Sequence, residues 1–177
     1  MGADGEKSRK RMIVFRGADA VPLDSETMPS EAPDAGTLAA LQQIAALGID
    51  QEAGSRSRII FKEPGAQGMS LVHVWFKSGY VLPRHSHDGD CLYYIIGGEL
   101  SMGAHTLRKG DGMFLPGDHA YGYVAGPEGV ELLEFRNATR FNIALKGNDD
   151  AHWSRVIETL RDRPPIWDNE TAPPSER

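Results

Sequence analysis

Between about residue 56 and residue 145 the chain is a succession of short β-type runs divided by glycine-bearing turns. The runs read SRIIFKE, MSLVHVWFK, CLYYII, GELSMG, HTLR, GMFLP, AYGYVA, VELLEF and FNIAL, and the turns include EPGAQG, KSG, RKGDG and AGPEG. Many short strands at this spacing predict an all-β sandwich or barrel. No segment within the region is long enough for crossover helices, so the strands are expected to be mostly antiparallel.

The flanks have a different character. Residues 1–10 are polar, and RMIVF (11–15) is a short β-type run. VPLDSETMPSEAPDAG (21–36) carries three prolines and reads as an extended linker. TLAALQQIAALG (37–48) has helical spacing, with Leu38, Leu41, Ala45 and Gly48 on one stripe that Ile44 and Leu47 widen. Asp34 or Thr37 is the candidate cap and Gly48 a left-handed stop. A lone helix of this length is marginal, so it is expected to pack on the main domain or on a second subunit. DDAHWSRVIETLRDR (149–163) predicts a second helix with an apolar stripe of Trp153, Val156, Ile157 and Leu160, ended by Pro164 and Pro165. The residues after it read as a loose tail. The expected organisation is an N-terminal arm with a short strand and one helix (1–55), a barrel (56–146), and a C-terminal helix with its tail (147–177).

The formal net charge of -6 argues against a nucleic-acid partner, because phosphate binding needs a basic face. The basic run KSRKR (7–11) reads as a solvated terminus. A single cysteine cannot form an intrachain disulfide. The opening residues lack a signal-peptide pattern and no run approaches the roughly 20 apolar residues of a membrane helix. A cytoplasmic protein with no membrane partner is the expectation.

The stretch GYVLPRHSHDGDCLYYIIGG (79–98) holds the chemistry. His85 and His87 are an i, i+2 pair, so on an extended strand both imidazoles point to one face and can converge on a divalent transition metal. Cys91 has the same parity. It is either a sulfur ligand or a small buried hydrophobe.

These residues resemble the first motif of the cupins: a glycine, five residues, His-x-His, three or four residues, a glutamate, six residues and a glycine. Gly79, His85, His87 and Gly98 fit it, and Cys91 stands at the glutamate position. The second cupin motif is matched at Gly110 and Pro116, but Asp118 stands at its second glycine, Tyr121 at its histidine and Ala125 at its asparagine, with His119 two residues before the expected histidine. The resemblance implies an all-β, single cupin-type (jelly-roll) β-barrel with flanking N- and C-terminal helices. It implies a metal site too, ordinarily three histidines and a glutamate around Fe, Zn, Cu, Ni or Mn. Here the candidate set is His85, His87, Cys91 and either His119 or Tyr121, a softer set favouring zinc, copper or iron over manganese. A cysteine at the glutamate position is also similar to the mammalian-type thiol dioxygenases, in which it is joined to a tyrosine; Tyr121 and Tyr123 are the candidates here. That subgroup's Ser-x-His-x-Tyr stretch and a clear third histidine are missing.

Other residues are open at this level. Glu134 and Arg136 share a parity, either as an ion pair inside the barrel or as a solvated pair outside it. Arg56 and Arg58 are candidates for a substrate carboxylate or are solvated. His73 reads as a core or edge histidine, and Trp75, Tyr93, Tyr94 and Phe114 as barrel packing. The function expected is a metal-binding cupin with a small-molecule pocket, with dioxygenase chemistry if it is an enzyme and Tyr121 or His119 as third ligand or proton-transfer group. The alternative is a non-catalytic ligand-binding or sensor barrel. Cupin-like chains often pair through N-terminal strands, so a homodimer is expected, with RMIVF and the 37–48 helix as the contact.

Overall fold

A computed structural model of the chain describes residues 11–50, 52–65, 68–147 and 149–177. The polar opening at 1–10, most of KSRKR and part of EPGAQG lie outside the described residues.

The fold is antiparallel throughout its named strands. β1 (Val21–Pro22), β2 (Ser55–Lys62), β3 (Ser70–Phe76), β5 (Cys91–Met102), β6 (His105–Arg108), β7 (Gly112–Leu115) and β8 (Val124–Arg136) form one sheet in the order β1-β2-β3-β8-β5-β6, with β7 also on β5. A second ladder pairs β4 (His85–Ser86) with β9 (Ala144–Leu145). The two long strands β5 and β8 run side by side and carry most of the sheet. β5 alternates as the jelly-roll expectation requires: Cys91, Tyr93 and Ile95 are buried while Leu92 and Tyr94 are exposed. The motif's last residue, Gly98, has φ +68, and a Cβ there would lie 2.1 Å from the Gly129 oxygen, so no other residue fits between β5 and β8.

Several local expectations are corrected. RMIVF is not a strand; it runs as exposed chain. The 21–36 segment is tied down, because Met28 is buried, Arg58 donates to the Ala20 carbonyl at 2.6 Å, and Lys62 donates to the Thr27 carbonyl. The first helix, α1, spans Ala35–Ala46, with the Asp34 carboxylate accepting from the Thr37 N–H at 2.7 Å and Gly48 at φ +65 beyond its end. Its buried face is Thr37, Ala40 and Ile44, rotated from the expected stripe, and Leu38 and Leu47 face solvent. The Thr37 hydroxyl fixes that rotation by accepting from the Leu145 N–H at 2.9 Å, tying α1 to β9.

The second helix, α2 (Ala151–Asp162), is capped by Asp150 and buries Trp153, Val156 and Leu160. Pro164 and Pro165 end it but also begin a short third helix, α3 (Pro164–Trp167), where proline's missing N–H costs nothing. The tail is not loose. Trp167 is fully buried against Tyr80 and donates from Nε1 to the Ser78 carbonyl at 2.9 Å, and the Ser175 N–H donates to Glu131 at 3.0 Å. Among the described residues no helix is long and apolar enough to cross a membrane.

Candidate functional site

The barrel encloses a cavity of about 270 Å³. Its walls are apolar: Val74, Phe76 and Leu132 come from the sheet, Leu41 and Ile44 from α1, and Leu160 from α2. α1 therefore covers the barrel mouth, and the Trp153 Nε1–H bond to Gln43 at 2.7 Å fastens the two helices over it. The cavity's polar groups include His85, His87, Tyr93, Tyr121, Tyr123 and Glu134.

Both histidines are buried and held by backbone. His85 Nδ1 lies 2.7 Å from the Pro83 carbonyl, and His87 Nδ1 lies 2.7 Å from the Asn142 carbonyl. A carbonyl oxygen only accepts, so each Nδ1 carries the proton and each Nε2 presents a lone pair. Asn142 is positioned by the HDGD loop itself, since its side-chain N–H and Arg140 both bond the Asp88 carboxylate at 2.8 and 2.9 Å. Burial lowers both imidazoles to about 4, with His87 next in effect for His85 and Arg136 next for His87. Both are neutral at pH 7.

Tyr121 joins them through an isolated β-bridge that places it opposite His85. Its hydroxyl lies 2.9 Å from His85 Nε2 and 2.5 Å from the Tyr93 hydroxyl. Because Nε2 is bare, Tyr121 donates to it, and Tyr93 donates to Tyr121. The result is a directed chain of protons, Tyr93 to Tyr121 to His85. Burial raises both phenols well above 10, so the chain stays protonated. The spacing of the second motif pointed to Tyr121, but Tyr93 was read as packing; its signal was the inward parity it shares with Cys91.

The other candidates are placed apart. Cys91 is buried and faces inward, but its thiol donates to the Gly89 carbonyl at 3.5 Å, and burial pushes it up to about 12. His119 is exposed and lines an outer groove with His105 and His152, because the residues around Asp118 turn the chain outward there. Asp118 takes φ 60, the left-handed backbone of the glycine whose motif position it occupies, and its N–H donates to the His87 carbonyl at 2.6 Å.

Glu134 and Arg136 prove to be an interior ion pair, with the guanidinium 4.5 Å above the Phe141 ring and Phe141 edge-on to His87. Arg58 is committed to Ala20 and Arg56 stacks on Trp75 at 4.9 Å, so neither faces the cavity. His73 sits on the outer face, 2.6 Å from Glu131. Tyr94 and Phe114, expected in the packing, are exposed there too.

A cupin metal set is met at two of four positions. Among the described residues no three His, Cys, Asp or Glu side chains gather as a metal cluster. The two imidazoles fit a metal, since the outer nitrogen of each is held by a carbonyl, the arrangement that fixes ligating histidines. The Tyr121 hydroxyl is the oxygen adjoining His85, and neither Cys91 nor His119 gathers with the two imidazoles.

No family model matches the chain, and no curated protein matches it. Among solved structures it is similar to KdgF from a Halomonas species, at 24% identity over 51% of this chain and 85% of that one, with a TM-score of 0.44. An RmlC-like cupin from Shewanella frigidimarina is 24% identical over 52% and 83%, also at 0.44. The polyketide cyclase RemF from Streptomyces resistomycificus is 17% identical over 60% and 84%, at 0.49. The antiparallel strand pairing agrees with the all-β jelly-roll architecture that the resemblance of the first motif implies.

Proposed function

We propose that the chain is a metal-binding cupin that takes a small, largely apolar molecule into the covered cavity, with His85 and His87 as the metal's nitrogen donors and Tyr121 as the neighbouring oxygen donor. One observation carries the reading: each imidazole has its Nδ1–H pinned on a backbone carbonyl, which leaves each Nε2 unprotonated as an acceptor, and burial keeps both rings neutral at pH 7. A divalent transition metal bound there would supply Lewis acidity, and iron would add dioxygenase chemistry. The chain's own groups do the rest. α1 and α2 keep water from the apolar wall, the Tyr93–Tyr121 pair holds a proton at the Tyr121 oxygen, and Phe141 with the Glu134–Arg136 pair fixes the far side of His87. The expected ligand shape follows from the walls, which favour a compact molecule with one polar end over a highly charged one.

Elemental analysis of the protein purified without an affinity tag tests this. The expected result is about one equivalent of metal, lost in His85→Ala and His87→Ala and retained in Cys91→Ser and His119→Ala. Less than about a tenth of an equivalent, with unchanged thermal stability in chelator, contradicts it.

A second reading has its own support. Tyr121 already donates to His85 Nε2, so the polar end of the cavity is partly satisfied without metal. This is the arrangement of a metal-free binding or sensor barrel. Oxygen uptake over a panel of thiols, catechols and diketones separates an oxygenase from a sensor.

A further inference from the structure

The barrel interior holds a guanidinium whose donors are only partly used. Arg136 on β8 is fully buried, and its Nη1 donates to the Glu134 carboxylate. Its Nε and Nη2 meet no acceptor among the described residues. Buried donors left unpaired are costly. These two nitrogens form one edge of the guanidinium, the fork that matches the two oxygens of a carboxylate.

The fork stands at the histidine end of the cavity. Glu134 lines the cavity directly. Phe141 lines it too, takes the guanidinium over its ring at 4.5 Å and stands edge-on to His87 at 4.9 Å. Residues 137–143 have neither helix nor strand, so the Phe141 ring is the movable layer between cavity and fork. The cupin motif has a glutamate at position 91, and Cys91 is paired with Arg136 across β5 and β8. Burial keeps the Cys91 thiol protonated, so at pH 7 it gives Arg136 no anion.

We infer that Nε and Nη2 of Arg136 bind a carboxylate carried by the cavity's ligand, which makes that ligand a monocarboxylic acid with a compact apolar body. The inference rests on the small-molecule reading of the cavity and names the ligand's polar end. The acid's carboxylate and Glu134 share one guanidinium, and a divalent metal on His85 and His87 would offset the added negative charge. The apolar walls take the rest of the molecule.

Calorimetric titration of the full chain with acetate, isobutyrate and benzoate, each beside its primary amide, tests the inference. At least one acid is expected to bind about tenfold or more tightly than its amide. Arg136→Lys keeps the charge but loses the fork, and is expected to weaken acid binding about tenfold or more. If circular dichroism shows that variant unfolded, Glu134→Gln/Arg136→Met replaces the ion pair with uncharged groups of like size. The double variant is expected to lose the preference for acid over amide. Acids and amides that bind the wild type alike overturn the inference and leave the cavity reading standing. A preference that persists in the folded variant also overturns it. Binding of neither series contradicts both. Metal content is measured on the same samples, so a failed fork and an empty metal site are told apart.

Discussion

The hydroxyl of Tyr121 lies 2.9 Å from Nε2 of His85, at the place where the cupin motif has a histidine. The substitution does not vacate the position; it puts a proton donor aimed at His85 where the motif has its third nitrogen donor. Tyr121→Phe leaves the His85 lone pair and the Tyr93 hydroxyl without partners in an apolar cavity. Denaturant unfolding is expected to show a loss of about 1–3 kcal/mol. Tyr121→His restores the motif and is expected to tighten metal binding about tenfold or more, read by competition with a chelator.

Stability is expected to fall on mild acidification. Burial holds both imidazoles near 4, against 6.5 for an exposed histidine. The unfolded chain therefore binds protons between pH 6.5 and 4 that the folded chain refuses. The contribution is complete above pH 6.5 and is lost as pH falls toward 4, at up to roughly 3 kcal/mol per histidine. Thermal melts of chelator-treated protein between pH 7 and pH 4.5 measure it, and His85→Phe is expected to flatten the slope.

Asp118 stands in left-handed backbone at φ 60, where an L side chain costs energy that glycine does not. Asp118→Gly is expected to raise stability by about 0.5–1 kcal/mol with metal content unchanged. The reverse case is Gly98→Ala, whose Cβ meets the Gly129 carbonyl; it is expected to cost at least about 2 kcal/mol. Urea midpoints of the two variants check both.

Cys91 is expected to be inert in the folded chain. Its thiol is 2% exposed and pushed up to about 12 by burial, so little thiolate exists at pH 7. A thiol reagent is expected to label it only after denaturation.

The sheet was legible because its strands alternate and its turns carry glycine; CLYYII and GELSMG merely fuse into β5. His85 and His87 were legible from spacing alone. Four things were not. The role of Tyr93 depends on its contact with Tyr121, 28 residues away in the chain, and on the β-bridge that brings Tyr121 opposite His85. The fate of His119 is tied to the left-handed backbone at Asp118, directly after which it is exposed. The rotation of α1 depends on one hydroxyl, Thr37, answering a backbone N–H of β9. Helical periodicity alone favours Leu38 and Leu47 for burial, and the tertiary hydrogen bond wins. The tail looked loose because Trp167 and Pro173 are isolated in a polar sequence, yet both bury against the barrel.

The account turns on two imidazoles sharing one metal, and pulsed EPR of the copper(II)-loaded protein counts them directly. Two coordinated imidazole nitrogens are predicted in the wild type, with that two-imidazole signal lost in His87→Ala and in His85→Ala. A copper signal without imidazole coupling, or one unchanged by both substitutions, contradicts it.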